Sequence, residues 1–210
     1  MVFRVPAYCQ CAYVQHGVMA LAPAGVGWKA PEADKGLETR ILKGPAFGSV
    51  IVKDDSPDWS HYRGNPGHTG ETGTPPKLPF KLAWERKLSG RLTAPSCGMG
   101  MVFVGSREGS VWGIDQKGGD ILWKHDTDGE IRVTPAYGNG RVLVGSDDGW
   151  IYCLDARSGQ LAWKFRAAPE ERYINMDGRM VSQWPCAGGV IVEGMTVYGI
   201  AGYFSYDGTY

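Results

Sequence analysis

The sequence predicts an all-β fold: a partial β-propeller of four-stranded blades, about two full blades and part of a third, behind an irregular N-terminal extension. Three observations predict it. A block repeats at an offset of 40 residues, turn residues divide each block into four short strands, and apolar residues fall on both faces of those strands. A period of roughly 20 to 50 residues marks a repeat architecture, in which each unit buries its apolar surface only against its neighbours.

The repeat is explicit. VFVGSREGSVWGIDQKGGDILWKH, beginning at Val102, aligns without a gap on VLVGSDDGWIYCLDARSGQLAWKF, beginning at Val142. The landmarks Pro95 and Pro135, Val104 and Val144, Gly105 and Gly145, Ser106 and Ser146, Gly109 and Gly149, Asp115 and Asp155, and Trp123 and Trp163 all recur at that offset. Trp84 stands 39 residues before Trp123 and ends a preceding unit.

Turn chemistry supplies the four strands of a unit. Thr134 to Tyr137 leads into Gly138-Asn139-Gly140, whose Asn-Gly pair is a strong hairpin signal, and Arg141 to Ser146 returns. Asp147-Asp148-Gly149 turns the chain into Trp150 to Leu154. Asp155 opens a turn that closes at Gly159, because an Asp side chain can bond the backbone two residues on. Gln160 to Phe165 is the fourth strand. The runs VLVG and WIYCL do not alternate apolar with polar, as a sheet with one wet face would, so both faces are expected to be packed.

Composition agrees with many tight turns: 31 Gly and 13 Pro are dispersed along 210 residues. A hydrophobic content of 43%, with eight Trp and ten Tyr, suffices for a packed core. Formal net charge is zero, which leaves no electrostatic footprint for nucleic acid or an anionic membrane surface. No apolar run approaches the roughly 18 residues of a membrane span. Between Met1 and Val26 the one basic residue is Arg4 and Pro23 interrupts the apolar run from Val18, so no intact signal peptide is read. Five scattered Cys are not a disulfide framework.

Two domains follow. Residues 1–56 show no repeat and read as an N-terminal extension, or the end of a preceding module with its linker; residues 57–210 are propeller repeats, incomplete at the C-terminus. In the third unit Trp184-Pro185 stands where the others have Ala-Pro, with about ten extra residues between Trp163 and Pro185. Propellers close with about four to eight blades, so the expectation is a truncated chain, or one whose missing blades are supplied by other chains or domains.

The third strand ends Ile114-Asp115 or Leu154-Asp155, Gly follows after four residues and Trp after four more. This resembles the PQQ-like repeat, the tryptophan-docking blade of quinoprotein dehydrogenases and of the outer-membrane assembly lipoprotein family. The resemblance covers roughly Trp59 to Tyr210. DWSHYRGNPGHTG (Asp58 to Gly70) resembles the segment preceding the first blade in bacterial members. RAAPEER (Arg166 to Arg172) and GYFSYDG (Gly202 to Gly208) look most like the large planctomycete-type proteins. The resemblance implies a place in the periplasm or elsewhere outside the bacterial cytoplasm.

It implies two functional classes. One is a non-catalytic scaffold that binds proteins or ligands. The other is part of a PQQ-dependent alcohol or sugar dehydrogenase, which would need the quinone, a Ca²⁺ held by oxygen ligands and a carboxylate base. The family's enzymes carry a pair of adjacent Cys by the cofactor, and none occurs here. No catalytic, cofactor-binding or metal residue is therefore assigned in this fragment, and PQQ and Ca²⁺ belong to the second class alone.

Individual residues read plainly. Trp84, Trp123 and Trp163 are docking residues between blades. Gly105, Gly145, Gly109, Gly149, Asp115 and Asp155 are structural repeat positions, and Glu108, Asp147 and Asp148 belong to turns. Cys9 and Cys11 form a weak Cys-x-Cys signal, Cys153 reads as a small buried hydrophobe, and His61 and His68 fix an irregular loop. The candidate binding element is the insertion Ala167 to Trp184, read as a long irregular loop, where Glu170, Glu171, Arg172, Asp177 and Arg179 could contact a polar ligand or a partner domain.

Overall fold

A computed structural model describes residues 2–4, 18–20, 37–49, 59–73, 78–176 and 178–203. Cys9, Cys11 and Asp177 lie outside the described residues. Val2–Arg4 (β1) pairs with Val18–Ala20 (β2), and a short 3₁₀ turn, Leu37–Arg40, leads into Ile41–Lys43 (β3).

The first blade is an antiparallel sheet of Ser96–Gly98 (β4), Met101–Gly105 (β5), Ser110–Asp115 (β6) and Ile121–Asp126 (β7), in that order. The second repeats it with Ala136–Gly138 (β8), Arg141–Gly145 (β9), Trp150–Asp155 (β10) and Leu161–Arg166 (β11). The first hairpin of each blade closes through Met99-Gly100 or Asn139-Gly140, and all four residues have positive φ. That is the two-residue turn whose twist matches the flanking strands. The last turn of each blade is held by an aspartate: Asp115 Oδ2 accepts the Lys117 and Gly118 amides, and Asp155 Oδ1 those of Arg157 and Ser158.

Both faces of the inner three strands of each blade are largely buried, and the core consists of layers between blades. Phe103, Val111, Val142, Val144 and Leu154 fill the layer between blades 1 and 2, with the Phe103 and Tyr137 rings stacked 5.6 Å apart. Leu143, Ile151 and Cys153 point to the opposite side of blade 2, where they meet Trp184, Cys186 and Val192. Consecutive residues of β9 thus serve two different layers. Burial stabilises each such aliphatic side chain by about 1.5–3 kcal/mol, so uninterrupted apolar runs are what this position demands.

The third unit contributes the hairpin Val190–Glu193 (β14) and Thr196–Gly199 (β15). Its register differs from the Pro185 alignment. Ile131 N–H donates to Ser106 O and Cys186 N–H to Ser146 O, each at 3.0 Å. The third unit therefore follows the second at an offset of 55, and Pro185 does not occupy the place of Pro135.

The insertion Ala167 to Trp184 corrects the expectation of an irregular loop. Tyr173–Met176 (β12) and Arg179–Ser182 (β13) pair as a hairpin with Met176 opposite Arg179. The physical reason is in the residues: Asp177-Gly178 is a two-residue hairpin signal between β-rich runs.

Residues 37–49, in the N-terminal extension by the sequence division, lie against blade 2. β3 pairs antiparallel with β11 as a fifth strand, and Gly44 and Ala46 N–H extend the ladder to Ala162 and Leu161 carbonyls. Arg141 Nη2 donates to Ser49 O at 2.8 Å.

Candidate functional site

The candidate site lies where the turns after β5 and β9 meet the links that leave β7 and β11. Asp147 joins them: its N–H donates to Glu130 O, and its carbonyl accepts Ser182 N–H. The β7–β8 link is extended, so Glu130 and Arg132 point to one side while Ile131, fully buried, points to the other. Arg132 Nη2 lies 2.6 Å from Asp147 Oδ2 and 3.2 Å from Glu130 Oε2, and Arg132 Nε donates to the same Asp147 oxygen at 2.7 Å. Asp147 is 0% exposed. Burial pushes its carboxyl above the usual carboxylate range, against the pull of Arg132. The Tyr203 ring lies over the Arg132 guanidinium at 5.8 Å, and burial pushes its phenol up to about 12.

The inserted hairpin is fixed to this cluster. Arg179 Nη1 reaches across to Glu130 Oε1 at 2.5 Å and to the Arg107 carbonyl at 3.1 Å, tying the link between blade 2 and the third unit back to blade 1. Of the other residues singled out in the insertion, Arg172 pairs with Glu170 at 2.5 Å and sits over the Trp184 ring at 5.7 Å. Glu171 lies 4.0 Å from Arg166. Arg179 alone joins Glu130; Glu170, Glu171 and Arg172 pair at the base of the hairpin.

The hairpin has two faces. Ile174, Val181, Met176 and Arg179 share one; Tyr173, Ser182, Asn175 and Met180 share the other, with Ser182 buried at its base. Val181 is buried, whereas Tyr173 is 45% and Met180 62% exposed. Beside the hairpin lies a cleft of about 350 Å³ that includes Arg107, Asp128, Glu130 and Arg179.

Trp84 Nε1 donates to Gln116 O and Trp123 Nε1 to Ala156 O, both at 2.9 Å. Each ring lies flat on a turn glycine of the following blade: a Cβ on Gly119 would meet Trp84 at 2.6 Å and one on Gly159 would meet Trp123 at 2.5 Å. Trp163, in β11, borders a cleft with Phe47 and Val197. Gly105 and Gly145 let the next unit approach, at Ile131 and Cys186. Gly109 and Gly149 sit in the turns after β5 and β9.

The remaining candidates have structural partners. Glu108 Oε2 accepts Arg91 N–H, and Asp148 accepts Trp150 N–H and the Tyr152 hydroxyl. Asp155 also pairs with Arg141 at 3.1 Å. Burial pushes the Cys153 thiol up to about 12. Among the described residues, no group of three His, Cys, Asp or Glu side chains is placed to hold a metal ion. No described helix is long and apolar enough to cross a membrane.

Sequence reasoning missed Arg132, and gave His61 a loop-fixing role without its long-range partner. Arg132 lies between the repeat landmarks, and no periodicity marks it. His61 is 2% exposed, its Nε2 accepts Val192 N–H at 2.9 Å, and its Nδ1 lies 2.8 Å from Ser60 Oγ.

A family model described as outer membrane protein assembly factor BamB matches residues 77–194. No curated protein matches. Among solved structures, quinohemoprotein alcohol dehydrogenase ADHIIG from Pseudomonas putida is 19% identical with a TM-score of 0.58, over 73% of this chain and 26% of that one. A europium-containing methanol dehydrogenase is 21% identical with a TM-score of 0.51, over 70% and 28%. BamB from Moraxella catarrhalis is 21% identical with a TM-score of 0.44, over 57% and 33%. The chain spans about a quarter of the length of these dehydrogenases, and the likeness is one of fold. With the family model covering more than half of its residues, the chain belongs to the PQQ-like β-propeller repeat family of the BamB type.

Proposed function

We propose that the chain is part of a non-catalytic propeller scaffold that binds another protein, and that the inserted hairpin is its contact element. The observation that carries this reading is the hairpin's outward face. Tyr173, Asn175 and Met180 are exposed there, beyond the buried Ser182, while Arg179, on the other face, fixes the hairpin to blade 1. Exposed aromatic and Met side chains on a braced element suit a protein contact, because little order is lost when they are covered.

The dehydrogenase alternative fits these residues poorly. Pyrroloquinoline quinone is a tricarboxylate, and Ca²⁺ takes about 6–8 oxygen ligands. Arg132, the cation at the centre of the cluster, already faces the carboxylates of Asp147 and Glu130, so it offers an anionic cofactor no uncompensated charge. The described residues bring no metal-ligand group together beside it. The scaffold reading also places the protein outside the bacterial cytoplasm, as its family suggests.

The test is site-specific photo-crosslinking in the native cell. A crosslinker at Met180 is expected to give a discrete adduct with another protein, whereas one at Gln160, in the turn at the opposite end of blade 2, gives none. Equal labelling from the two positions, or none from Met180, would sink the proposal.

A further inference from the structure

Three consecutive residues cross the inner strands of the three units, which lie side by side as β4, β8 and β14. Trp59 O accepts Cys97 N–H at 2.7 Å, Ser60 O accepts Tyr137 N–H at 2.8 Å, and His61 Nε2 accepts Val192 N–H at 2.9 Å. The donors stand at matching places in the repeat, at offsets of 40 and 55. The acceptors do not match in kind. Two are backbone carbonyls, which do not titrate; the third is an imidazole nitrogen.

Because Nε2 accepts, the single proton of the neutral ring sits on Nδ1 and is donated to Ser60 Oγ. A second proton can enter only at Nε2, where it would confront Val192 N–H. We propose that Trp59-Ser60-His61 is a clasp across the inner strands with one acid-labile link: protonation of His61 releases the β14–β15 hairpin while blades 1 and 2 remain joined.

Burial first, and the charge of His68 second, hold the His61 imidazole down at about 4, so the clasp is closed at neutral pH. The titratable groups on the three crossed strands are Cys97, Tyr137 and Glu193, none of them cationic. Release would uncover what the hairpin packs against: Gly138 beneath Val192, and Ile151 beneath Gly199.

The test is amide hydrogen exchange on the whole protein from about pH 7 down through pH 4, corrected for intrinsic rates. Val190–Gly199 is read against β4 and β8 as an internal reference. The expected result is a fall of about tenfold or more in the relative protection of β14–β15, absent in His61→Gln, which keeps an acceptor and does not titrate. A flat ratio in the natural protein, or the same fall in the variant, overturns the proposal. If the variant does not fold, ¹⁵N chemical shifts of the native ring decide. An Nδ1–H tautomer titrating well below 6.5 supports the clasp; an Nε2–H tautomer, or a midpoint at 6.5 or above, refutes it.

Discussion

Two glycines with nearly the same backbone separate the cost of a left-handed turn from the cost of disturbing a docked tryptophan. Gly100 has φ 72° and a Cβ there would meet nothing within 4 Å; Gly159 has φ 68° and a Cβ there would lie 2.5 Å from the Trp123 ring. Gly100→Ala should therefore cost only the left-handed backbone, about 1 kcal/mol. Gly159→Ala carries the same backbone cost and must also lift an indole that is 8% exposed and hydrogen-bonded to Ala156 O. Overpacking of that kind adds about 1–3 kcal/mol, for a total near 3 kcal/mol. In a Trp123→Ala background the added methyl has room, so the cost of Gly159→Ala should fall back to about 1 kcal/mol. Urea unfolding of the four variants, read as a double-mutant cycle, measures the difference. Equal costs for Gly100→Ala and Gly159→Ala would refute interblade docking by Trp123.

Arg132→Gln leaves Asp147 buried beside an uncharged partner and should cost about 3–5 kcal/mol at neutral pH by urea unfolding. The deficit should shrink on acidification, because protonation removes the buried charge. Asp155→Ala should cost more than Asp115→Ala, about 2 against about 1 kcal/mol. Both lose turn amides, but only Asp155 also loses Arg141 and the Ser158 hydroxyl. His61 titrates lower in the folded chain than in the unfolded one, so its contribution is complete above pH 6.5 and lost as pH falls toward 4. From 6.5 to about 4 that amounts to about 3 kcal/mol, and His61→Gln should flatten this part of the stability–pH curve.

The blades were legible because every device that shapes them is local. Asn139-Gly140 sets a hairpin, Asp155 and Gly159 set a turn, and Trp123 recurs where the next blade offers a glycine. The inserted hairpin was equally local: Asp177-Gly178 carried the signal, and reading Ala167 to Trp184 as irregular passed over it. The third unit's register was masked by Trp184-Pro185, which imitates the Ala-Pro landmark five residues too early. What no local pattern could reveal is long-range. β3 is three residues whose partner strand lies more than a hundred residues away. Arg132 gains its meaning from Asp147 and Glu130, and His61 from Val192, through contacts that only the assembled blades create.

The scaffold reading expects no quinone site, in keeping with Arg132 being paired from within the chain with Asp147 and Glu130. Titrating pyrroloquinoline quinone into the whole protein with Ca²⁺ in excess, while following dye-linked alcohol oxidation, tests it most directly. The prediction is no saturable binding and no oxidation. Stoichiometric quinone binding accompanied by alcohol-dependent dye reduction would contradict the account.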